Sequence, residues 1–201
     1  MTERIDSEAA PPSARQALRE QTAEAHERMH GHPFFAPFEP GRMTLDAYKR
    51  ILRALYGFHA ALETELFRAS AEAGVEAVMA GRAHSAELAA DLESVGFSAA
   101  AIQAIPRWDS FRVSGRGDLL GTIYVREGSL LGSAVLAKRL DTILGGDRGR
   151  RFLTSHSRNP GAWQRLIEEI EVAGSDGLLP SMVSGANRTF RAMEVWLNGN
   201  R

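Results

Sequence analysis

Between Thr44 and Leu66 the large apolar residues fall at Tyr48, Ile51, Leu52, Leu55, Phe58, Leu62 and Leu66. Steps of three and four residues put all of them on one face of a helix. The same period returns along the chain, and no alternating run of β-branched and aromatic residues bounded by turn chemistry competes with it. The best strand candidate, GTIYV (121–125), sits inside a longer helical pattern. Such a chain can bury its apolar stripes only by packing helix on helix.

Turn chemistry divides the pattern. A first helix is predicted from Ser13, an N-cap type, to His30, stopped by Gly31 and Pro33. FFAPFEPGR (34–42) reads as a loop, and Thr44 caps the second helix. Segment 83–95 carries Leu88, Leu92 and Val95 on one face before Gly96, and Ser98 to Ile105 forms a short helix ended by Pro106. A long apolar segment from Leu119 to Leu144 is interrupted by Gly128 and Gly132 and closed by Gly145-Gly146. Further helices are predicted over 147–157, 161–173 and 180–197. Residues 1–12, with Pro11 and Pro12, read as a disordered arm. The expectation is one all-α domain, a bundle of about seven or eight helices over residues 13–201.

Cysteine is absent, which excludes a disulfide framework, Cys-ligated zinc, an iron–sulfur cluster and a cysteine nucleophile. A formal net charge of -1 gives no global attraction to nucleic acid or to an anionic membrane. The start, MTERIDSEAAPPSAR, lacks the apolar core of a secretory signal, and no run reaches the roughly 18 apolar residues of a membrane span. A cytoplasmic protein is expected.

Two stretches carry the chemistry. The first is LREQTAEAHERMHGHP, in which His26 to His30 match H-E-x-x-H, the zinc-peptidase pattern. Such a site needs the helix to lead on to a third ligand, yet Gly31-His32-Pro33 ends it beside the second histidine. Around the helix, Ala14, Leu18, Thr22, Ala25 and Met29 form the inward stripe. His26 lies on one shoulder of that stripe with Arg15 and Arg19, and His30 falls further toward solvent. That arrangement suits an anionic ligand with a metal centre; equally, His26 is an ordinary boundary histidine.

The second stretch is YVREGSLLGSAVLAKRL (124–140). Glycine inside a helix costs about 0.5–1 kcal/mol against alanine. Gly128 and Gly132 are four apart on one face, and Ser129 and Ser133 widen the small-residue surface. Either another helix or a flat ligand can approach the backbone there.

Taken together, LREQTAEAHERM resembles the proximal helix of haem oxygenases, and YVREGSLLGS resembles the distal helix of their bacterial members. Weaker echoes follow in order at 48–63, 84–97, 152–171 and 186–197, so the likeness covers nearly all of the chain beyond residue 13. The resemblance implies a haem-oxygenase-like bundle in which His26 is the proximal ligand to haem iron. Gly128, Ser129 and Gly132 would line the distal, reacting face. Arg19 and Lys138 are candidates for propionate contacts on position and charge, and Phe190, beside Thr189, would wall the pocket. Two departures stand out: Ser133 where a second glycine is usual, and SHSRNPG (155–161) where the family carries a glycine near an aromatic.

The implied reaction uses haem as both substrate and cofactor, with O2, and yields biliverdin, carbon monoxide and Fe(II). No NAD or flavin motif is present; GRGDLLG (115–121) lacks the G-x-G-x-x-G spacing and a preceding strand. Electrons would therefore come from a ferredoxin, flavodoxin or reductase, and a bilin acceptor such as a bacterial phytochrome would stand downstream. Rival expectations are a haem or tetrapyrrole carrier or sensor on the same scaffold, a helical enzyme for another small molecule, and the zinc peptidase.

Overall fold

A computed structural model describes residues 12–146, 148–159 and 161–200. Among these, ten α-helices and three 3-10 turns account for the regular structure, and no strand occurs. The helices are α1 (Ala14–His30), α2 (Leu45–Glu72), α3 (His84–Ser94), α4 (Ala99–Gln103), α5 (Gly115–Leu131), α6 (Ser133–Lys138), α7 (Asp141–Leu144), α8 (Ser155–Arg158), α9 (Ala162–Ser175) and α10 (Leu179–Gly199). Apart from Pro12, the expected N-terminal arm lies outside the described residues.

Local chemistry sets the first two helices. Ser13 Oγ accepts from the Gln16 amide at 3.2 Å, and Thr44 Oγ1 accepts from Ala47 at 3.1 Å, so each helix has its N-cap. The α1 terminus gains a second acceptor from another helix: the Ala14 and Arg15 amides donate to the Glu171 carboxylate of α9, at 2.8 and 3.0 Å. The apolar face predicted for α2 is buried throughout, from Tyr48 to Leu66. It joins a core of Leu18, Leu119, Ile123, Leu166, Ile170 and Met182 on one side. On the other side it packs with Leu88, Leu92, Leu130, Leu140 and Phe152.

Three expectations change. FFAPFEPGR does not run wholly irregular, because Pro33–Phe38 forms a 3-10 helix that buries Phe34 and Phe38. GTIYV lies within α5, which starts at Gly115 and passes through Gly128 without a break. The interruption comes at Gly132 alone, and the region beyond it divides into the short helices α6, α7 and α8.

The GRGDLLG stretch is explained by the crossing of α5 and α10. A Cβ on Gly117 would overlap the Ser181 hydroxyl, one on Gly121 the Met182 carbonyl, and one on Gly185 the Asp118 backbone. Bare backbone on both helices lets them approach closely, and the Arg188–Asp118 ion pair ties the same crossing. Overpacking a site with no room costs about 3 kcal/mol, so Gly121→Ala should lower the Tm by roughly 6–12 °C. A thermal melt followed by circular dichroism checks this; an unchanged Tm would mean the helices stand further apart.

Burial also gives the fold a pH dependence. His59 on α2 is packed beside Phe58 and Phe152, with ring centroids 5.8 and 5.0 Å away. Burial, then the nearby charges of Arg126 and His84, push its pKa down from 6.5 to about 3. The unfolded chain is then the better proton binder, so the stability held by neutral His59 is full above pH 6.5 and drains as pH falls toward 3. His59→Leu should flatten the fall in Tm across that window. An equal slope in both proteins would contradict the assignment.

Candidate functional site

Helices α1 and α5 both pack on α9 and α10. Along α10, Asn187 donates to the Gln21 carbonyl at 3.3 Å, and Arg28 faces Glu194 at 3.9 Å. Between these ties the Phe190 ring meets the His26 imidazole edge-on, with centroids 6.3 Å apart. His26 and Phe190, far apart in sequence, are thus brought together.

The His26 side chain is 62% exposed. It stands open to solvent rather than looking into packed interior, which is more exposure than a shoulder position suggests. Its Nδ1 lies 3.5 Å from Glu27 Oε1, and the His30 ring sits 6.3 Å away at the end of the helix. Among the described residues, no group of three or more His, Asp or Glu side chains comes together to hold a metal ion. The H-E-x-x-H match therefore has no third donor.

On the facing helix the burial pattern is sharply divided. Arg126, Glu127, Leu130, Ser133 and Ala137 turn inward. Gly128, Leu131, Gly132 and Val135, at i, i+3, i+4 and i+7, form the other face, where Leu131 is 42% and Val135 60% exposed. A Cβ on Gly132 would meet nothing within 4 Å, and one on Gly128 would stand 3.6 Å from the Trp163 ring of α9. Neither glycine marks a tight helix crossing like those at Gly117 and Gly121: Gly132 stands open, and Gly128 lies at ordinary contact distance from Trp163. With exposed Leu131 and Val135 they form an apolar strip. Ser129 lies beside it, and its hydroxyl donates to its own helix at the Arg126 carbonyl, 2.7 Å away.

Basic residues lie toward both ends of the α5–α6 stretch. Tyr124, one turn before Gly128, is half-buried against Trp163, with centroids 5.6 Å apart. Burial raises its phenol above the ordinary value, and the guanidinium groups of Arg15 and Arg19 oppose that shift from α1. Arg15, Arg19 and Tyr124 thus share one end. Lys138 closes α6 at the other end, exposed, next to Arg139, whose guanidinium donates to the Phe38 carbonyl. Of the two basic candidates, Arg19 lies on the Tyr124 side, and Lys138 lies beyond the break at Gly132 at the end of α6.

Behind the strip lies a buried ionic cluster that sequence reading did not find. His84 Nε2 pairs with Glu127 at 3.1 Å, Arg126 with Glu127 at 3.0 Å, and the Ser85 amide donates to Glu63 at 3.0 Å. Arg126 also donates to the Arg82 carbonyl at 2.9 Å, and Arg82 to the Ala162 carbonyl at 2.7 Å. Burial, the largest influence on Glu127, pushes its carboxyl up. The His84 hydrogen bond and the charges of Arg126 and Arg82 outweigh it and hold the pKa at about 2. The cluster locks the rotation of α5 one residue before Gly128 and ties it to the start of α9. Charged residues at helical spacing read as a solvated face, so nothing local marked this group as buried. Tyr124 was findable as the residue one turn before Gly128; Trp163 was not, since its approach depends on how α9 packs.

Comparison with known proteins bears on the family and the fold. The family model described as Heme oxygenase matches residues 13–198. The chain is 33% identical over 66 residues to human heme oxygenase 1, a match that covers 33% of this chain but only 23% of the length of that relative. Among solved structures, the NO- and CO-bound haem oxygenase of Neisseria meningitidis superposes with a TM-score of 0.65 at 22% identity, covering 94% of this chain and 92% of that one. At that identity the superposition establishes the shared fold, and the family match spans all but the ends of the chain. The chain belongs to the haem oxygenase family.

Proposed function

We propose that the protein is a haem-degrading monooxygenase, opening haem at a meso carbon with O2 and externally supplied electrons to give biliverdin, carbon monoxide and Fe(II). One pairing carries the reading: an accessible imidazole at His26, set edge-on to Phe190 of α10, and the open Gly132 backbone of α5, on two helices that both pack on α9 and α10. The residues suit haem. A neutral imidazole is an axial iron donor, and bare backbone at Gly128 and Gly132 admits a flat ring. Leu131, Val135 and Phe190 supply apolar contact, while Arg15, Arg19 and Tyr124 offer donors for carboxylates.

In this proposal His26 holds the iron from the proximal side, its ring braced by Phe190. Haem itself, once bound and reduced, supplies the oxygen chemistry. The protein's task is orientation: the Gly128–Gly132 strip lies close over the opposite face and confines where an oxygen atom can reach the ring. Ser129 flanks that strip. Arg19, with Arg15 and Tyr124, anchors the propionates at one end of the strip, and Lys138 borders the other end. Electrons come from a ferredoxin, flavodoxin or reductase, and a bilin-binding protein such as a bacterial phytochrome is a fitting recipient of the product. Among the described residues no helix is long and apolar enough to cross a membrane.

Loading the protein with hemin and adding ascorbate in air with catalase present tests the reading. A Soret band that decays to a biliverdin spectrum is expected; a persistent Soret band would instead indicate a carrier. Because carboxylate anchoring is assigned to the Arg19 end, Arg19→Leu should weaken hemin binding about 10-fold, a charge-assisted contact's worth. Lys138→Ala should change it by less than about 2-fold. Fluorescence quenching titrations read both, and the reverse order would move the propionates to the Lys138 end.

A further inference from the structure

One of the two places where this chain departs from the pattern it resembles, Ser133, is tied by its side chain to the turn that leads into the other, the 155–161 segment. Ser133 is buried at the first position of α6. Its hydroxyl lies 2.7 Å from the Leu130 carbonyl and 2.6 Å from the Leu153 carbonyl. It has one proton to donate, so the bond is shared between its own helix and the 3-10 turn Phe152–Thr154 that runs directly into α8.

In an unbroken helix the Leu130 carbonyl would take the amide four residues on. Here the Ser133 hydroxyl bonds it from within the turn. A serine bonding back in this way bends a helix, and Gly-Ser pairs are recurrent sites of kinks. The backbone agrees: Gly132 has φ -90° and ψ -10°, well off the helical minimum, and the next turn closes three residues apart, from the Val135 amide to the Gly132 carbonyl at 3.2 Å. At Gly132 an added Cβ would also meet nothing within 4 Å. The bend and the open glycine are adjacent residues.

We infer that Ser133 is a positioning residue: by tying the α5–α6 bend to the Leu153 carbonyl, its hydroxyl sets how far the Gly132 backbone stands over the ring bound at His26. The inference rests on the haem reading. Glycine at this position could not form the tether, so the height of the strip in this chain is fixed by a bond to the 152–154 turn. Alanine keeps the size of the side chain and removes only the hydroxyl.

The test compares the wild-type protein with Ser133→Ala and Ser133→Gly in two arms. Without ligand, amide hydrogen exchange over residues 130–137 should quicken about 10-fold in Ser133→Ala, the scale of one lost hydrogen bond, while α10 amides keep their wild-type rates. With hemin reduced under carbon monoxide, the C–O stretching frequency should shift, because the backbone dipoles at Gly132 move relative to the bound gas. Turnover should fall with hemin affinity kept within about 3-fold. Unchanged exchange would remove the tether. Quickened exchange with an unmoved C–O frequency and unchanged turnover would reduce Ser133 to a structural tie and overturn the inference. Failure of the wild-type protein to bind hemin would instead overturn the haem reading, and the exchange arm separates the two.

Discussion

His26→Ala should abolish the histidine-ligated haem spectrum and cut turnover by more than the roughly 100-fold that even an outer-shell partner of a metal ligand is worth. His30→Ala should leave both intact. The two imidazoles are four residues apart with ring centroids separated by 6.3 Å, so the contrast does not come from distance along the chain. It comes from what each ring faces. His26 meets Phe190 of α10 edge-on, whereas His30 is the last residue of α1. Both changes are at exposed positions, so neither should disturb the fold by more than about 0.5 kcal/mol. Equal losses from both would remove His26 as the ligand.

Gly132→Leu should bring turnover down about 100-fold, the effect of displacing a reacting atom by about 1 Å, while the Tm stays within roughly 2 °C of wild type. The separation is possible because nothing of the protein lies within 4 Å of a Cβ at this position and its φ of -90° suits any residue. The new side chain would intrude only on whatever lies beneath the strip. Gly121→Ala does the opposite, crowding the Met182 carbonyl and weakening the fold. Melting curves beside turnover assays distinguish the two glycines; full turnover in Gly132→Leu would show that the strip does not cover the reacting face.

That contrast also marks what the sequence could not tell. Gly117, Gly121, Gly128 and Gly132 all lie along one helical pattern, and only the path of α10 decides which pair is packed and which is open. The ends of α1 and the start of α2 were legible because Ser13, Gly31 and Thr44 act on amides within four residues. Residues 133–158 were not, because their turns are held from a distance. The Arg150 guanidinium donates to the Ala137 carbonyl, and Asp91 accepts from the Arg151 and Phe152 amides at 2.8 and 2.9 Å. Of the proposed site, His26, Arg19, the glycines and Phe190 were readable from position and resemblance. Trp163 needed the packing of α9 against α5, and the His84–Glu127 cluster needed the burial of residues that look like surface.

The central claim is that haem lies between His26 and the Gly128–Gly132 strip. The most direct measurement is a paramagnetic-broadening map, in which ferric hemin is titrated into 15N-labelled protein and the amide signals are followed. The account predicts loss of signal centred on residues 22–30 of α1 and 124–135 of α5 and α6, with Phe190, at one equivalent of hemin. Among the described residues, other places for a ligand include a crevice of about 220 Å³ at Pro33, Phe34, Arg50 and Asn200, and a groove of about 350 Å³ at Tyr56, Ser85 and Arg107. Broadening centred on either, with His26 and Gly132 left sharp, would contradict the account.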